Sequence, residues 1–442
     1  MNLNDKEINE GNVSNENKLN KKVAIYTLGC KVNAYESSVM AESFKKAGYE
    51  VVDYSEVADV YIVNTCTVTN MSDRKSRQIL RRAKELNQNS VLCAVGCYAQ
   101  VAAEDLAKIQ DIDIILGTND KRQIVSIVED FMKSHQKQLI VTIVLAERKY
   151  VEWGKTAITS KARAEIKVQD GCDRYCSYCI IPYARGPVRS RKKEDVHDEI
   201  IEIAKTGIKE IVITGIHISS YGKDLEDKPK LIDLLEYIHK IPGIERIRLG
   251  SLEPLIIDED FVRRLKALPK VCNHFHLSLQ SGCDSTLERM NRRYKTEDFR
   301  RIVRMLRENI PEVALTTDVI VGFPGETEEE FETTYEFLKE IRFSKMHVFQ
   351  YSPRKGTKAE KFPNQVDTKI KAMRSARLIE LSNQNEEEFA FQYIGKEIEV
   401  LFENEHDGHT TNYIEVYSKE EMKPNEIVVK KVKSWENGKV LV

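Results

Sequence analysis

The chain has 442 residues, and its 68 Lys and Arg residues are balanced by 70 Asp and Glu residues, so the formal net charge is −2. This balance excludes binding of a polyanion through the charge of the whole molecule, and any nucleic-acid site must be a local basic patch. The apolar runs are too short to span a bilayer, and the length predicts two to four domains.

Residues 1–20 are rich in Asn, Glu and Lys and lack an apolar core, which predicts a disordered tail and not a signal peptide. The chain has nine cysteines and no secretion signal, which favours reduced thiols and a cytoplasmic location. In that compartment, clustered cysteines are more often metal ligands or catalysts than disulfides.

Residues 21–135 alternate strand-like and amphipathic helical runs. The strand-like runs are 23–28, 50–52, 60–64, 91–95 and 112–116. This order predicts a doubly wound parallel sheet, in which ligands bind beyond the carboxyl ends of the strands. Cys30, Cys66 and Cys97 follow the first, third and fourth of these runs. They form a candidate three-thiolate site that is argued from topology and not from a local motif.

Residues 136–164 are expected to form a linker. A second alternating series fills residues 165–382, with strand-like runs at 165–169, 209–215, 246–250, 274–279, 314–322 and 345–352. Six strand–helix units predict an open, partial (β/α)6 barrel, whose catalytic residues belong at the carboxyl ends of the strands. Residues 383–442 alternate apolar and polar residues between turns, which predicts a small all-β barrel. The predicted fold class is therefore α/β with a C-terminal all-β domain.

Cys172, Cys176 and Cys179 form a CxxxCxxC motif directly after the first strand of the second series. Three thiolates at this spacing can hold three irons of a 4Fe-4S cluster and leave the fourth iron open, whereas clusters that only carry electrons have four cysteines. The alternative is a structural zinc site, which needs four ligands. No second CxxC pair lies at the usual distance, so the spacing favours the iron–sulfur cluster.

Six motifs, taken in order, resemble those of radical S-adenosylmethionine (SAM) methylthiotransferases. They are Thr27-Leu-Gly-Cys30-Lys-Val-Asn33, Asn64-Thr-Cys66-Thr-Val, Gly96-Cys97-Tyr-Ala-Gln100, Gly171-Cys172 to Arg191, His276-Leu-Ser-Leu-Gln280-Ser-Gly and Asp318-Val-Ile-Val-Gly-Phe-Pro-Gly-Glu-Thr327. In addition, Asp407-Gly-His-Thr-Thr-Asn-Tyr413 resembles the family's C-terminal TRAM domain, an RNA-binding module. The resemblance covers about 420 residues, all but the N-terminal tail.

The resemblance implies two 4Fe-4S clusters and SAM as cofactors. Cys172, Cys176 and Cys179 would hold the cluster that binds SAM and cleaves it to a 5′-deoxyadenosyl radical, and this radical takes a hydrogen from the substrate. Cys30, Cys66 and Cys97 would hold an auxiliary cluster that carries the inserted sulfur, and a second SAM would methylate that sulfur. The cofactor supplies the difficult chemistry, and the protein supplies position and electronics.

Further residues are candidate SAM contacts. By resemblance, Tyr178 would pack on the SAM adenine, and its alternative role is an aromatic anchor of the loop. The other candidates are polar residues and glycines at or near strand ends. Instead of contacting SAM, the polar residues could form hydrogen bonds within their loops, and the glycines could serve only to form turns. The candidates are Tyr178, Gly215, Ser251, Glu253, Gln280, Gly322 and Gly325.

Two basic groups are candidate RNA contacts, because phosphate contacts from Arg and Lys supply affinity. Arg74, Arg77 and Arg81 share one face of a predicted helix, and Arg185, Arg189 and Arg191 follow the cysteine motif. The alternative for the helix is a solvated basic face.

The family divides by substrate. One branch modifies isopentenyladenosine in tRNA, one modifies an aspartate of a ribosomal protein, and one modifies threonylcarbamoyladenosine at tRNA position 37. Lys31-Val32, with Glu36-Ser37 following, resembles the third branch. The expected partners are a tRNA anticodon loop, whose unstacked bases are accessible, and an electron donor such as flavodoxin or ferredoxin. The sequence does not determine the oligomeric state.

Overall fold

The computed structural model of the protein describes residues 21–152, 154 and 162–442. The described chain forms two compact units. The first holds an N-terminal sheet and its helices, and the second comprises Ile143–Val442 together with two short loops, Gly29–Tyr35 and Thr67–Ser72. The tail predicted at residues 1–20 lies outside the described residues. No helix within the described ranges is long and apolar enough to cross a membrane.

In the described residues, the first unit is built on a six-stranded parallel sheet. Its strands are β1 (Lys22–Thr27), β2 (Glu50–Val52), β3 (Val60–Thr65), β4 (Val91–Gly96), β5 (Ile114–Leu116) and β6 (Gln138–Ile140). Their order is β2-β1-β3-β4-β5-β6, and all neighbours are parallel. Strand β6 lies in the segment that was predicted to be a linker, and it forms one edge of the sheet.

Helices cover both faces of this sheet. They are α1 (Lys31–Lys46), α2 (Asn70–Leu86), α3 (Cys97–Val101), α4 (Ala103–Ala107) and α5 (Ile124–Ser134). Phe44 of α1 and Val128 of α5 belong to the apolar core on one face. Leu80 of α2 and Leu106 of α4 belong to the core on the other face. The prediction of a doubly wound sheet is confirmed, because apolar helix faces cover the strands from both sides.

The second unit contains an open parallel barrel. Its strands, with one short neighbour, are β7 (Arg163–Asp170), β8 (Arg189–Ser190), β9 (Glu210–Gly215), β10 (Arg246–Leu249), β11 (His274–Gln280), β12 (Ala314–Val321) and β13 (Lys345–Gln350). The pairs β7–β9, β9–β10, β11–β12 and β12–β13 are parallel, and β8 is antiparallel to β7. A bridge between Leu252 and Leu277 connects the β10 side to β11. The predicted partial barrel is confirmed.

Helices surround the barrel. They are α6 (Ile181–Arg185), α7 (Lys193–Lys205), α8 (Leu231–Ile238), α9 (Glu259–Leu265), α10 (Asp284–Arg289), α11 (Thr296–Asn309), α12 (Glu328–Ile341) and α13 (Thr368–Phe391). Apolar residues recur at helical spacing over residues 296–309, and helix α11 has the bounds that this pattern predicts. Thr327 followed three residues later by Glu330 is a capping-box sequence, and it opens helix α12. Thr327 Oγ1 accepts a hydrogen bond from the Glu330 N–H at 3.2 Å, and the Glu330 carboxylate accepts one from the Thr327 N–H at 3.2 Å.

The C-terminal part is a small β-domain. Its strands are β14 (Glu397–Phe402), β15 (Asp407–Thr410), β16 (Glu415–Tyr417), β17 (Ile427–Lys431), β18 (Ser434–Glu436) and β19 (Lys439–Leu441). The strand order is β17-β14-β15-β16-β19-β18, and the pairs are antiparallel except β16–β19. Val400, Phe402 and Val440 form part of its core. Helix α13 continues through residues 382 and 383, where the sequence predicted a domain boundary.

The turn between β15 and β16 lies against the amino end of the barrel strands. The Tyr413 ring stacks on His274 of β11 and on His409, with centroids 4.8 Å apart in each pair. The Arg248 guanidinium of β10 lies 4.8 Å from the centroid of the same ring and donates hydrogen bonds to the carbonyls of Thr410 and Thr411. The C-terminal domain therefore closes the base of the barrel through a specific set of polar and aromatic contacts.

We expect Tyr413→Ala to lower the free energy of unfolding by about 2 kcal/mol, because two stacked ring contacts of roughly 1 kcal/mol each are removed. The measurement is urea denaturation followed by circular dichroism. Tyr413→Phe, which keeps the ring, should unfold close to wild type. An equal free energy of unfolding for Tyr413→Ala and wild type would contradict the stabilising role of this ring.

Candidate functional site

The three cysteines of the CxxxCxxC motif lie on a loop between β7 and α6, at the carboxyl end of the first barrel strand. The Cys172 N–H donates to the Gly186 carbonyl at 3.0 Å, which joins the two ends of the loop. The Cys179 N–H donates to the Cys176 carbonyl at 3.0 Å, so the last CxxC is a tight turn. All three residues are half-buried. Catalytic groups of parallel barrels occupy this position.

Asp170, the last residue of β7, anchors this loop. Its Oδ2 accepts from Lys167 Nζ at 2.6 Å and lies 3.5 and 3.6 Å from the guanidinium nitrogens of Arg185 and Arg189. Its Oδ1 accepts from the Gly171 N–H at 2.8 Å. Gly171 has φ +72°, and a Cβ at this position would lie 1.8 Å from the Pro187 carbonyl oxygen, so the turn requires glycine.

The environment of the thiols fits metal ligation. Burial raises the pKa of Cys172 to about 11 and that of Cys179 to about 12, so that both are thiols unless a metal displaces the proton. Arg292 Nη1 lies 3.2 Å from Cys176 Sγ and can donate to it. A guanidinium beside Cys176 Sγ stabilises the negative charge that ligation places on that sulfur.

A single metal ion does not match the geometry. Among residues 21–152, 154 and 162–442, no group of three or more His, Cys, Asp or Glu side chains is placed to hold one metal ion. A structural zinc site needs four ligands around one ion. The motif supplies three thiols, one fewer than such a site needs. Three thiolates can each bind a different iron of a 4Fe-4S cluster.

Polar side chains gather at the ends of β9 and β10. Glu253 forms an ion pair with Arg174 of the cysteine loop, and its Oε2 lies 3.0 Å from His217 Nε2. Burial would raise the pKa of Glu253, but the hydrogen bond from His217 and the charges of Arg174 and Arg292 hold it below the usual value. Burial lowers the pKa of His217 despite Glu253. A charged carboxylate beside a neutral imidazole therefore faces the cysteine loop at neutral pH.

Two further candidate SAM contacts lie at neighbouring strand ends. Gly215 is the last residue of β9, and Ser251 follows β10. A Cβ on Gly215 would lie 2.9 Å from the Gln169 carbonyl oxygen, so close approach of β7 accounts for this glycine. Ser251 is exposed, and Gln280 at the end of β11 is half-buried. Gln280 has φ +75°, a rare conformation for a residue with a side chain, beside a register shift in β11.

Tyr178 and the Gly322–Gly325 segment lie together. The Tyr178 ring packs edge-on against Phe323, with centroids 6.2 Å apart, in an apolar cluster that includes Met290 and Tyr351. The structure thus brings two predicted contact regions into one place. The same packing is what an aromatic anchor of the loop requires, so both roles predicted for Tyr178 remain compatible with its position.

In the first unit, Cys66 and Cys97 follow neighbouring strands at the same level. Thr65 and Gly96, the residues before them, are partners in the β3–β4 register. Both cysteines are buried, and Cys97 begins α3. Cys30 is exposed and precedes α1. The strand-end placement that the sequence predicted for Cys66 and Cys97 is therefore observed.

A buried polar network joins α1, the end of β3 and the turn after β5. Lys121 and Glu36, both with fully buried side chains, form an ion pair. Lys121 Nζ also donates to Asn64 Oδ1 at 3.2 Å, and Asn64 Nδ2 donates to Ser37 Oγ at 3.0 Å. Asn64 is two residues before Cys66. The network therefore fixes the end of β3 from which Cys66 emerges.

The prediction that Arg185, Arg189 and Arg191 contact RNA is contradicted by their burial. Each is at most 2% exposed. Besides the contacts with Asp170, Arg185 donates to Asn33 Oδ1 at 2.6 Å, and Arg191 pairs with Glu199. These side chains offer no surface to a phosphate, because their positive charges are enclosed and paired with carboxylates of the same unit.

The other basic group is more accessible. Arg74 and Arg81 on α2 are exposed. Arg77 is half-buried and donates to the Tyr98 hydroxyl at 2.6 Å. Sequence reasoning missed four residues of the site, which are Asp170, Arg174, His217 and Arg292. Arg292 is 113 positions from Cys179, and no local pattern marks it.

We expect Lys121→Met to lower the stability of the first unit by about 3–5 kcal/mol, because it leaves a buried carboxylate without its cation. Thermal unfolding measured by circular dichroism tests this. The double variant Lys121→Met/Glu36→Gln should recover part of the loss. A double variant as unstable as the sum of the two single variants would argue against coupling of the pair.

Two family models match this chain. Residues 166–338, which contain the barrel, match the Radical SAM superfamily. Residues 22–117, which contain most of the first unit, match the Uncharacterized protein family UPF0004.

Curated relatives cover most of the chain. The "Threonylcarbamoyladenosine tRNA methylthiotransferase MtaB" of Bacillus subtilis (strain 168) is 42% identical over 90% of this chain and 90% of its own. The protein of the same name from Aquifex aeolicus (strain VF5) is 40% identical over 89% of this chain and 96% of its own. The "tRNA-2-methylthio-N(6)-dimethylallyladenosine synthase" of Caldicellulosiruptor saccharolyticus is 37% identical over 88% of this chain and 83% of its own.

Solved structures share the fold. The radical S-adenosylmethionine methyltransferase TsrM from Kitasatospora setae, solved with cobalamin and a 4Fe-4S cluster bound, matches with a TM-score of 0.56 and 16% identity. The match covers 76% of this chain and 74% of that one. At this identity the likeness supports the architecture alone.

Proposed function

The chain belongs to the radical SAM methylthiotransferase family, and we propose that it methylthiolates C2 of N6-threonylcarbamoyladenosine at position 37 of tRNA. The product would be 2-methylthio-N6-threonylcarbamoyladenosine. The structural observation that supports the chemistry is the three-cysteine loop at the carboxyl end of the first barrel strand. Support for this substrate comes from the relatives that share the greater identity with this chain.

SAM and 4Fe-4S clusters are the cofactors of this family. We propose that Cys172, Cys176 and Cys179 hold the cluster that binds SAM and that Cys30, Cys66 and Cys97 hold the auxiliary cluster. When bound, these groups supply the 5′-deoxyadenosyl radical that removes hydrogen from C2, the sulfur inserted there, and the methyl group that a second SAM gives to that sulfur.

The chain's own residues position and shield this chemistry. Arg292 donates toward Cys176 Sγ, which stabilises negative charge on the sulfur. Tyr178, which is half-buried and packs on Phe323, offers an aromatic face beside the loop that fits an adenine ring. The carboxylate of Glu253 is suited to a cationic amino group such as that of SAM. Gly215, Ser251, Gln280, Gly322 and Gly325 complete the proposed SAM contacts.

RNA binding is assigned to the exposed basic residues. Arg74 and Arg81, with Arg77 beside them, would contact phosphates of the anticodon arm. The C-terminal domain would add RNA contacts through surfaces other than its β15–β16 turn, which the barrel occupies. A small redox protein such as flavodoxin or ferredoxin would supply electrons, and we assign the protein to the cytoplasm.

We expect about eight irons per chain after anaerobic reconstitution, falling to about four in Cys172→Ala/Cys176→Ala/Cys179→Ala, because two separate three-cysteine sites each hold one cluster. Iron and sulfide analysis measures this. Cys283→Ala, which removes a cysteine outside both sites, should keep about eight. Loss of all iron in the triple variant would mean that Cys30, Cys66 and Cys97 are not an independent site.

The substrate is tested with two tRNAs, one carrying threonylcarbamoyladenosine and one carrying dimethylallyladenosine at position 37. We expect the methylthio product from the first tRNA only, detected by mass spectrometry of nucleoside digests. Product from the second tRNA alone would favour the isopentenyl branch. Product from neither, with modification of a ribosomal-protein aspartate instead, would favour the protein-modifying branch.

A further inference from the structure

Two tyrosine rings are exposed beside the cysteine loop. Tyr175 lies within the loop, directly before Cys176, and Tyr183 lies on α6. Each residue is 41% exposed. Their ring centroids are 6.1 Å apart and their planes are inclined by 78°, an edge-to-face pair. Aromatic surface therefore stays open to solvent next to the residues that ligate the SAM-binding cluster in the proposed function.

The backbone holds these rings in place. Tyr175 has φ +48°, a left-handed conformation that is uncommon for a residue with a side chain. Its carbonyl accepts a hydrogen bond from Asn291 Nδ2 at 3.0 Å. The hydrogen bond from Cys172 to Gly186 closes the loop that carries both rings. A ring that is already ordered loses little conformational entropy when a flat ligand stacks on it.

Cationic residues lie on the loop and on a segment that contacts it. Arg293 and Lys223 are exposed, and Arg174 belongs to the loop itself. Arg293 directly follows Asn291 and Arg292, whose side chains contact the Tyr175 carbonyl and Cys176 Sγ, so this segment lies against the loop. Open aromatic rings with neighbouring cations are the combination that binds single-stranded nucleic acid, with bases stacking on rings and phosphates contacting cations.

We propose that Tyr175 and Tyr183 form a stacking platform for an unpaired RNA base that neighbours the modified nucleotide. The inference rests on the proposed function, because it takes an RNA loop as the substrate and places its target base at the cysteine loop. Bases of an anticodon loop are unstacked and available for contact with aromatic side chains. A docking surface for an acidic redox protein would use the cations, but it would not require open rings on a strained backbone.

The test measures binding of a threonylcarbamoyladenosine-containing anticodon stem-loop RNA to the reconstituted holoenzyme under anaerobic conditions. We expect Tyr175→Ala and Tyr183→Ala each to weaken binding about tenfold, the size of one lost base–aromatic stack. Tyr175→Phe and Tyr183→Phe keep the ring and should bind like wild type. Ile379→Ala removes an apolar side chain that is 46% exposed on α13, outside the proposed RNA contacts, and it should leave binding unchanged.

Iron content and dithionite-driven SAM cleavage without RNA accompany each binding measurement. Both should equal wild type in the two Ala variants, because a stacking platform acts on RNA alone. Loss of iron would overturn the platform and show that the rings only support the loop. Unchanged RNA binding with slower flavodoxin-driven SAM cleavage would overturn it in favour of a redox docking surface. If wild type bound no RNA, the proposed function itself would fail.

Discussion

One buried carboxylate determines the conformation of the cysteine loop. Asp170 ends the first barrel strand, accepts the Gly171 N–H, and pairs with Lys167, Arg185 and Arg189. These cations come from both sides of the loop, so the strand that begins it and the helix and strand that follow it are tied to one point. These contacts fix the positions of the two ends of the loop, which the turn at Gly171 and the hydrogen bond from Cys172 to Gly186 require.

The same cluster gives the buried arginines a function other than RNA binding. Burying a charge is costly unless it is paired, and Asp170, Glu199 and Glu152 pair with Arg185, Arg189 and Arg191. The sequence indicates only that three arginines follow a cysteine motif. Whether such side chains face solvent or an enclosed carboxylate depends on residues up to 152 positions away, such as Asn33, which Arg185 contacts.

Features that depend on residues close together in the sequence were predictable from it. The apolar periodicity of α11 and the capping box of α12 gave correct boundaries, and the alternating pattern gave the parallel sheet and the barrel. Long-range polar pairs were not predictable in this way. Glu36 and Ser37, used as marks of a substrate branch, belong instead to the network around Lys121 and Asn64, which connects segments 85 and 27 positions apart. Their presence is explained by packing of the sheet and carries less weight for substrate choice.

The motif that resembles an RNA-binding module also makes structural contacts within the protein. Its last residue, Tyr413, stacks on a barrel histidine, and the carbonyls of its threonines accept from Arg248. These contacts join the C-terminal domain to the base of the barrel, at the opposite end of the strands from the cysteine loop. In the proposed function, the RNA base at the loop would therefore be positioned by residues of the barrel, whereas Arg74 and Arg81 would contact phosphates of the anticodon arm. The exposed pair Tyr175 and Tyr183 meets that requirement, because the loop that presents the cysteines also presents the rings. Cofactor ligation and substrate positioning would then depend on the same hydrogen bonds, those that Asp170 and Gly186 make with the start of the loop.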